Sequence, residues 1–351
     1  MEIWFYVVEW IILVLLLAPS SLPACQNRIR RWAGGFIYVF FAAFRNVMTP
    51  GLDVYAFYNR FEKTAVIPLK TLLTNGESEP GYIFLAWLIK HITGSYVVFL
   101  AIIHLFVYCS LVYFIDNIPW KNHRYLLTGV LCINLFSVYY LQRNIMAVAF
   151  SMIMFVKLCQ KKNKLAFFAL VLAVLSHYSA VILIPAFCFI QIFNQKRNAN
   201  RWKITTFSIT AVCILVLISP FIVLFGKYTV YQGRGGIAWA TDFVAIFTMI
   251  FYLRNIHKLK ANIPVANILG LSVFTILLII PIQMQYNIMY RMLLYFQPIM
   301  AIMLMYITDV YKKTPWFYMF SLFSTMYYLY YIVSFFAKET IYIGIPYRLA
   351  F

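Results

Sequence analysis

Long apolar runs recur along the whole chain, and they restrict its fold more than any other feature. Hydrophobic residues make up 64% of the 351 positions and charged residues only 11%, less than half of the usual share in soluble globular proteins. The sequence therefore excludes a soluble enzyme and predicts an all-α polytopic integral membrane protein with about ten full spans. The runs lie near residues 3–18, 29–44, 95–115, 125–141, 144–158, 204–225, 239–253, 263–282, 293–308 and 315–336.

The chain is strongly basic, with 29 Lys plus Arg against 10 Asp plus Glu and a net charge of +19. In a soluble protein this would suggest nucleic acid, but cytoplasmic loops of membrane proteins collect Lys and Arg, so no nucleic-acid partner is predicted. The six cysteines show no CxxC spacing, and no glycine-rich phosphate loop occurs. The sequence thus indicates no disulfide framework, no metal site and no cofactor, and it argues against a nucleotide-driven pump.

The distribution of Lys and Arg also decides between two topologies for the stretch 165–192, which is either one long membrane crossing or a hairpin. With a hairpin, 18 of the 29 Lys and Arg lie inside and 11 outside, whereas a single crossing gives 14 inside and 15 outside. The hairpin is therefore predicted, with Ser176-His177-Tyr178-Ser179 at its tip in the outer leaflet. Residues 1–351 then form a single transmembrane domain, and the long loop 45–94 is extracytoplasmic and carries short surface helices.

Ionisable groups at membrane depth are costly, so each is a functional candidate. Asp53, in the outer loop, is either a helix cap or a catalytic carboxylate. Glu79 precedes Pro80 and reads as the cap of the next helix, and His177 is either a satisfied core histidine or a functional group. Further acids stand at Glu9 and Asp242, where the case is weaker.

Two arginines interrupt apolar sequence at outer boundaries of spans, Arg143 and Arg291. Each is either a turn residue that extends toward lipid headgroups or part of an anion site. Two such arginines facing one cavity would suit a lipid diphosphate, because a guanidinium presents its donors in a fixed fork that matches phosphate oxygens.

In this order the residues resemble the EpsG/Wzy-type family of bacterial polysaccharide polymerases, which belongs among the GT-C-like membrane glycosyltransferases. The resemblance covers roughly residues 25–350, and it departs from the family at Asn144, where glutamine is frequent, and at Tyr178, where a second histidine or another residue is common. The matching positions are Arg45, Gly51-Leu52-Asp53-Val54-Tyr55, Glu79-Pro80-Gly81-Tyr82, Gln142-Arg143-Asn144, His177-Tyr178-Ser179-Ala180, Arg291 and Ile345-Pro346-Tyr347.

The resemblance implies an enzyme that joins oligosaccharide repeat units carried on undecaprenyl diphosphate, at the outer face of a bacterial cytoplasmic membrane. The product would be O-antigen, capsule or exopolysaccharide, and a flippase and a chain-length regulator of the same pathway would be partners. The acceptor hydroxyl would need a carboxylate base, Asp53 first and Glu79 second. Arg143 and Arg291, helped by Arg45 or His177, would hold the leaving diphosphate.

Two other classes fit parts of the pattern. A lipid-linked oligosaccharide flippase or another secondary transporter would also be helical and basic, but no paired repeat accompanies the hairpin, and the acidic outer loop favours chemistry. A membrane O-acyltransferase would need a strongly placed His-Asp set on early spans, and residues 1–44 contain neither His nor Asp.

The charge asymmetry yields a topology that labelling can test. In a cysteine-free background, single cysteines at positions 60 and 230 should react with an impermeant maleimide from outside, and those at positions 161 and 200 should be shielded. Labelling of position 200 from outside would contradict the hairpin and invert the second half of the topology.

Overall fold

The computed structural model describes residues 2–17, 23–44, 54–74, 79–117, 141–188 and 290–311, with isolated positions between 243 and 280 and between 314 and 326. Within this part of the chain every regular element is helical, as predicted. In chain order the elements are α1 (Glu2–Leu17), α2 (Ala24–Ala43), α3 (Val54–Lys63), α4 (Leu69–Thr74), α5 (Pro80–Thr93), α6 (Tyr96–Asn117), α7 (Gln142–Cys159), α8 (Asn163–Ser176), a 3-10 turn (Tyr178–Ile182), α9 (Tyr290–Leu293) and α10 (Gln297–Val310).

The apolar runs near 3–18, 29–44, 95–115, 144–158 and 293–308 fall on α1, α2, α6, α7 and α10, with ends that differ by a few residues. Two of the described helices are long and apolar enough to cross a membrane, α6 with 22 residues and α7 with 18. Together with the composition, they indicate an α-helical membrane protein. The other five predicted spans lie outside the described residues or touch them at isolated positions, and the count of about ten stays a prediction.

Short helices occupy the long loop that the sequence predicted between residues 45 and 94. They are α3, α4 and α5, and α5 ends at Gly94, whose positive φ of 67° is a conformation that glycine adopts readily. The aromatic face of α3 is buried. Phe57 packs 5.8 Å from Tyr82 of α5, and Phe61 packs 5.2 Å from Phe99 of α6, measured between ring centroids. These contacts fix α3 against the start of α5 and the first turn of α6.

Close packing of α2 against α6 rests on two glycines. A Cβ atom on Gly35 would lie 2.8 Å from Cε1 of Tyr108, and one on Gly34 would lie 2.9 Å from the Tyr108 hydroxyl. One turn further along, the Tyr38 hydroxyl lies 2.7 Å from Nδ1 of His104, so both buried groups have a partner. The two helices therefore approach closely.

The region of the predicted hairpin contains a helix break at the expected place. Helix α8 covers the predicted first arm and ends at Ser176, and after His177 the chain continues as the 3-10 turn and then helically to Cys188. The 14 residues of α8 rise only about 21 Å, less than the ~30 Å of a hydrocarbon core. The return of the chain to its starting side stays a prediction.

Contacts divide the chain into two units. Residues 1–156, 168–178 and 322–351 form the first, and residues 157–167 and 179–321 form the second. In the second unit, the Ser179 hydroxyl lies 2.8 Å from that of Tyr295, which is fully buried together with Phe296. This contact joins the 3-10 turn to the segment between α9 and α10. Every interaction at the candidate site below lies within the first unit.

Candidate functional site

Three of the six predicted site residues meet in one cluster. Nη1 of Arg143 donates to Oε2 of Glu79 over 2.5 Å, and Nδ1 of His177 is hydrogen-bonded to Oε1 of the same carboxylate. The residues are 64 and 98 positions from Glu79 in sequence. Each stands at a helix end: Glu79 before α5, Arg143 in the first turn of α7, and His177 after α8.

The sequence around Glu79 explains how these helix ends come together. Pro80 takes the first position of α5, where its missing N–H costs nothing. A Cβ atom on Gly81 would lie only 2.9 Å from the carbonyl oxygen of Leu175, in the last turn of α8. Because glycine has no Cβ, the start of α5 can lie directly against the end of α8, and this brings Glu79 to His177.

The interpretation of Glu79 as a helix cap is corrected by the structure. Glu79 does occupy the N-cap position of α5, but its side chain makes no capping hydrogen bond. Both carboxylate oxygens are used instead by Arg143 and His177, and the side chain is only 5% exposed. Side chains from distant segments take the place of the local backbone amides as partners of this charged carboxylate, and hydrogen bonds to a charged group are the stronger ones.

Arg143 contacts two side chains of the long loop, and its two interpretations, a turn residue near headgroups and part of an anion site, both stay predictions. Its guanidinium carbon lies 5.6 Å from the centroid of the Phe57 ring, and its donor group faces Glu79. The side chain is held by a cation–π contact and by an ion pair. A guanidinium fixed in this way keeps one orientation in the first turn of α7.

A buried hydrogen-bonded chain supports the cluster. The Tyr82 hydroxyl donates to Oε1 of Gln142 over 2.9 Å, and Nε2 of Gln142 donates to the Tyr96 hydroxyl over 3.4 Å. The three residues come from α5, α7 and α6, and all are buried. The chain therefore joins the helix that carries Glu79 to the helix that carries Arg143.

Electrostatics keep the Glu79 carboxyl ionised. Burial is the largest single effect and raises its pKa, but the hydrogen bond to His177 and the charges of Arg143 and His177 together outweigh it. The net result lowers the pKa from 4.5 to about 2. Glu79 is consequently an anion throughout the physiological pH range.

The remaining predicted site residues fall elsewhere. Asp53 and Arg45 lie outside the described residues, and their roles stay predictions. Arg291 stands on α9 in the second unit, with its side chain outside the described part. The described residues contain no group of three or more His, Cys, Asp and Glu side chains that could hold a metal ion.

The sequence analysis assigned no role to two polar residues at this site, Arg60 and Asn144. The guanidinium carbon of Arg60 lies 5.9 Å from the Phe57 centroid, the ring that also contacts Arg143. The spacing of Phe57 and Arg60, three residues apart on a helix, was the signal that could have found it. Asn144 is 3% exposed, and within the described structure neither atom of its amide has a hydrogen-bond partner.

Comparison with protein-family profiles identifies the EpsG family. The sequence profile of the EpsG family matches residues 34–349, a segment that contains all six predicted site residues. No curated protein matches the chain, and no solved structure matches it.

The Glu79 pKa gives a stability prediction with a definite sign. A carboxyl whose pKa is depressed by folding stabilises the protein above its unfolded value, and this stabilisation is lost as the pH falls through about 4.5 to about 2. Glu79→Gln should therefore lower the free energy of unfolding by about 3 kcal/mol at pH 7, and by much less at pH 3. Thermal unfolding of the purified protein at both pH values measures the difference.

Glu62→Gln is the matched control, because Glu62 also accepts from a cation, Lys90 at 2.6 Å, but is 40% exposed. Its substitution should cost less than about 1 kcal/mol. Equal losses in the two variants, or a Glu79→Gln defect that persists undiminished at pH 3, would contradict the proposed ion-pair cluster.

Proposed function

The chain belongs to the EpsG family, and from this premise we propose that it joins oligosaccharide repeat units carried on undecaprenyl diphosphate into surface polysaccharide. Family membership indicates a role in polysaccharide polymerisation in general. The finer proposal is that the reaction is a glycosyl transfer at the outer face of a bacterial cytoplasmic membrane. A flippase and a chain-length regulator would act with it.

The observation that carries this proposal is the cluster of Glu79, Arg143 and His177. It stands at the helix ends of the loop and spans that the charge asymmetry assigns to the outer side, where lipid-linked units would be joined. Its guanidinium is fixed by a carboxylate and an aromatic ring, so it needs no reorganisation during the reaction. A preoriented positive charge of this kind suits a leaving group on which negative charge develops.

The proposed step is a glycosyl transfer from the lipid diphosphate to a sugar hydroxyl. An acceptor sugar hydroxyl attacks the anomeric carbon of the growing chain and loses its proton to a base on the protein. The bond between that carbon and the diphosphate oxygen breaks, and the diphosphate leaves with the electron pair. Arg143, and in this proposal Arg291 and Arg45, stabilise the charge on the departing diphosphate.

Glu79 is a poor candidate for the base. A general base works best when its pKa lies near the operating pH, and that of Glu79 is lowered to about 2. We therefore assign Glu79 a positioning role toward Arg143 and His177. Asp53 remains the first candidate base.

His177 replaces Glu79 as the second candidate base. Because His177 faces Glu79 through Nδ1, its Nε2 is the ring nitrogen that would exchange a proton with the substrate. The carboxylate then selects the tautomer and the ring orientation, as in other carboxylate–histidine pairs. Nε2 would accept the proton or hydrogen-bond the leaving group.

The decisive test of the function is deletion of the gene in its native host, followed by gel analysis of surface polysaccharide. Long chains should disappear while single-unit product is retained. Arg143→Ala should reproduce this result, and Arg143→Lys should restore part of the chain length, because lysine keeps the charge but loses the fork. Loss of every surface form, with the lipid-linked unit trapped inside, would instead indicate a flippase.

The two candidate bases can be separated by isosteric changes. Asp53→Asn keeps any capping oxygen but cannot accept a proton, so turnover should fall about 100- to 10,000-fold at a normal amount of protein in the membrane. The measurement is chain length on gels together with immunodetection of the membrane fraction.

His177→Gln serves as the comparison, since the glutamine amide can still donate to Glu79. Near-normal chains in Asp53→Asn with collapse in His177→Gln would move the base to His177. Near-normal chains in both variants would show that the mechanism proposed here is wrong.

A further inference from the structure

We propose that an apolar groove between α2 and α6 holds part of the polyprenyl chain of the lipid carrier, with the diphosphate at the Phe44 end of the groove. The inference rests on the proposed function, since that function supplies the lipid carrier. It adds a binding surface on two helices of the first unit that neither the motifs nor the family match assigns.

The sequence of α2 builds the groove from two adjacent rows of side chains. Residues four apart on a helix form one ridge along its surface. One ridge consists of large rings, Trp32, Phe36, Phe40 and Phe44, and the ridge beside it consists of smaller residues, Gly35, Val39 and Ala43. The last three rings contact one another in turn, with centroids 6.1 Å and 5.1 Å apart. The rings therefore form a raised wall, and the smaller residues form a low floor.

Helix α6 supplies the second wall through Ala101, Leu105 and Tyr108. The two helices run antiparallel, because Tyr108 lies against Gly35, whereas His104 is hydrogen-bonded to Tyr38 further along α2. No residue that lines the groove carries a charge. Such a lining suits hydrocarbon and does not suit a polar head group.

The size of the groove fits one hydrocarbon chain. It encloses about 290 Å³ and follows α2 from Trp32 to Phe44, which is a rise of about 18 Å. Dividing the volume by this length leaves a mean cross-section of about 16 Å², close to that of a single extended hydrocarbon chain. An α-helix with its side chains is about 10 Å across and does not fit. The occupant is accordingly one lipid chain and not a helix of another protein.

The rim of the groove is exposed on both walls, with Phe36 73% and Leu105 43% exposed. A chain can therefore enter sideways from the bilayer. Apolar contact alone does not favour the groove over the surrounding lipid, because lipid tails are equally apolar. The selection of one lipid must come from the shape of the groove and from charge at its end.

Charge and position both favour the lipid carrier at the Phe44 end, which the charge asymmetry assigns to the outer side. Arg45 follows Phe44 directly in sequence, and the proposed function assigns Arg45 to the diphosphate. Because the helices are antiparallel, Ala101 lies at this same end. It is about 7.5 Å along α6 from Tyr96, which belongs to the hydrogen-bonded chain that supports Arg143. A carrier whose chain enters the groove here has its diphosphate at the level of the candidate site.

The test is photo-crosslinking of the full-length protein in lipid nanodiscs, with labelled peptides identified by mass spectrometry. Two probes are compared at one mole fraction, undecaprenyl diphosphate and phosphatidylglycerol, each with a diazirine on its hydrocarbon chain. The prenyl probe should label the groove at least about fivefold more than the exposed face of α8 around Phe168, and excess unlabelled undecaprenyl diphosphate should abolish this preference. The phospholipid probe should label both surfaces to a similar extent.

Val39→Trp should lower labelling of the groove by the prenyl probe about 10-fold, because an indole on the floor takes the space of the chain. Ile37→Trp is the matched control, since Ile37 is also β-branched and half-buried on α2 but does not line the groove. It should leave labelling within about twofold. If Val39→Trp does not fold, Leu105→Trp decides, because Leu105 lies on the opposite wall and is exposed.

Four results would overturn the proposal in distinguishable ways. Labelling by the prenyl probe that avoids the groove, or that is unchanged in Val39→Trp, removes the groove from the site and leaves the proposed function intact. Equal labelling of the groove by both probes, without competition, assigns it to bulk lipid. An equal loss in Val39→Trp and Ile37→Trp, with a lowered Tm, assigns this face of α2 a structural role. Failure of the prenyl probe to label the unmodified protein anywhere removes both this inference and the proposed function.

Discussion

The pairing of the Glu79 carboxylate with Arg143 and His177 is the interaction on which the rest of the site depends. The carboxylate binds Arg143 with one oxygen and His177 with the other while nearly buried. A buried charge is costly unless it is paired and hydrogen-bonded, so the helix ends that supply its two partners must be in place together. The contact of Gly81 with Leu175 and the hydrogen bond from Tyr82 to Gln142 enforce that arrangement from outside the cluster.

Local sequence predicted the elements of this arrangement but not their pairing. The runs near 95–115 and 144–158 match α6 and α7, and the break at His177 appears where the charge asymmetry required a hairpin tip. These features follow from periodicity, charge and helix length, which are properties of neighbouring residues. The meeting of Glu79 with His177, 98 positions away, depends on tertiary packing that no local pattern encodes.

The aromatic residues also show that local sequence predicts a residue's type of environment but not its contacts with distant segments. The sequence predicts that aromatic residues such as Phe57 and Tyr82 serve in packing or at the membrane interface. Because the chain has 33 Phe and 27 Tyr, nothing in the sequence distinguishes these two from the others. In the structure the guanidinium groups of Arg60 and Arg143 both contact the Phe57 ring. The Tyr82 hydroxyl donates to Gln142, the residue before Arg143. The cap interpretation of Glu79 failed for a related reason: capping propensity describes the local backbone, whereas Arg143 and His177 arrive from other helices.

Holding an arginine and accepting a proton are two tasks that one carboxylate could not perform well. A group that holds an arginine firmly must stay charged, and Arg143 and His177 lower the pKa of Glu79 to about 2. The same ionisation makes it a weak proton acceptor at neutral pH. In the proposed mechanism, positioning and proton transfer therefore belong to different residues: Glu79 fixes the arginine and the imidazole, and another group accepts the proton. This constraint holds for any polar chemistry at the site, because it follows from the charges around Glu79 rather than from the identity of the sugar.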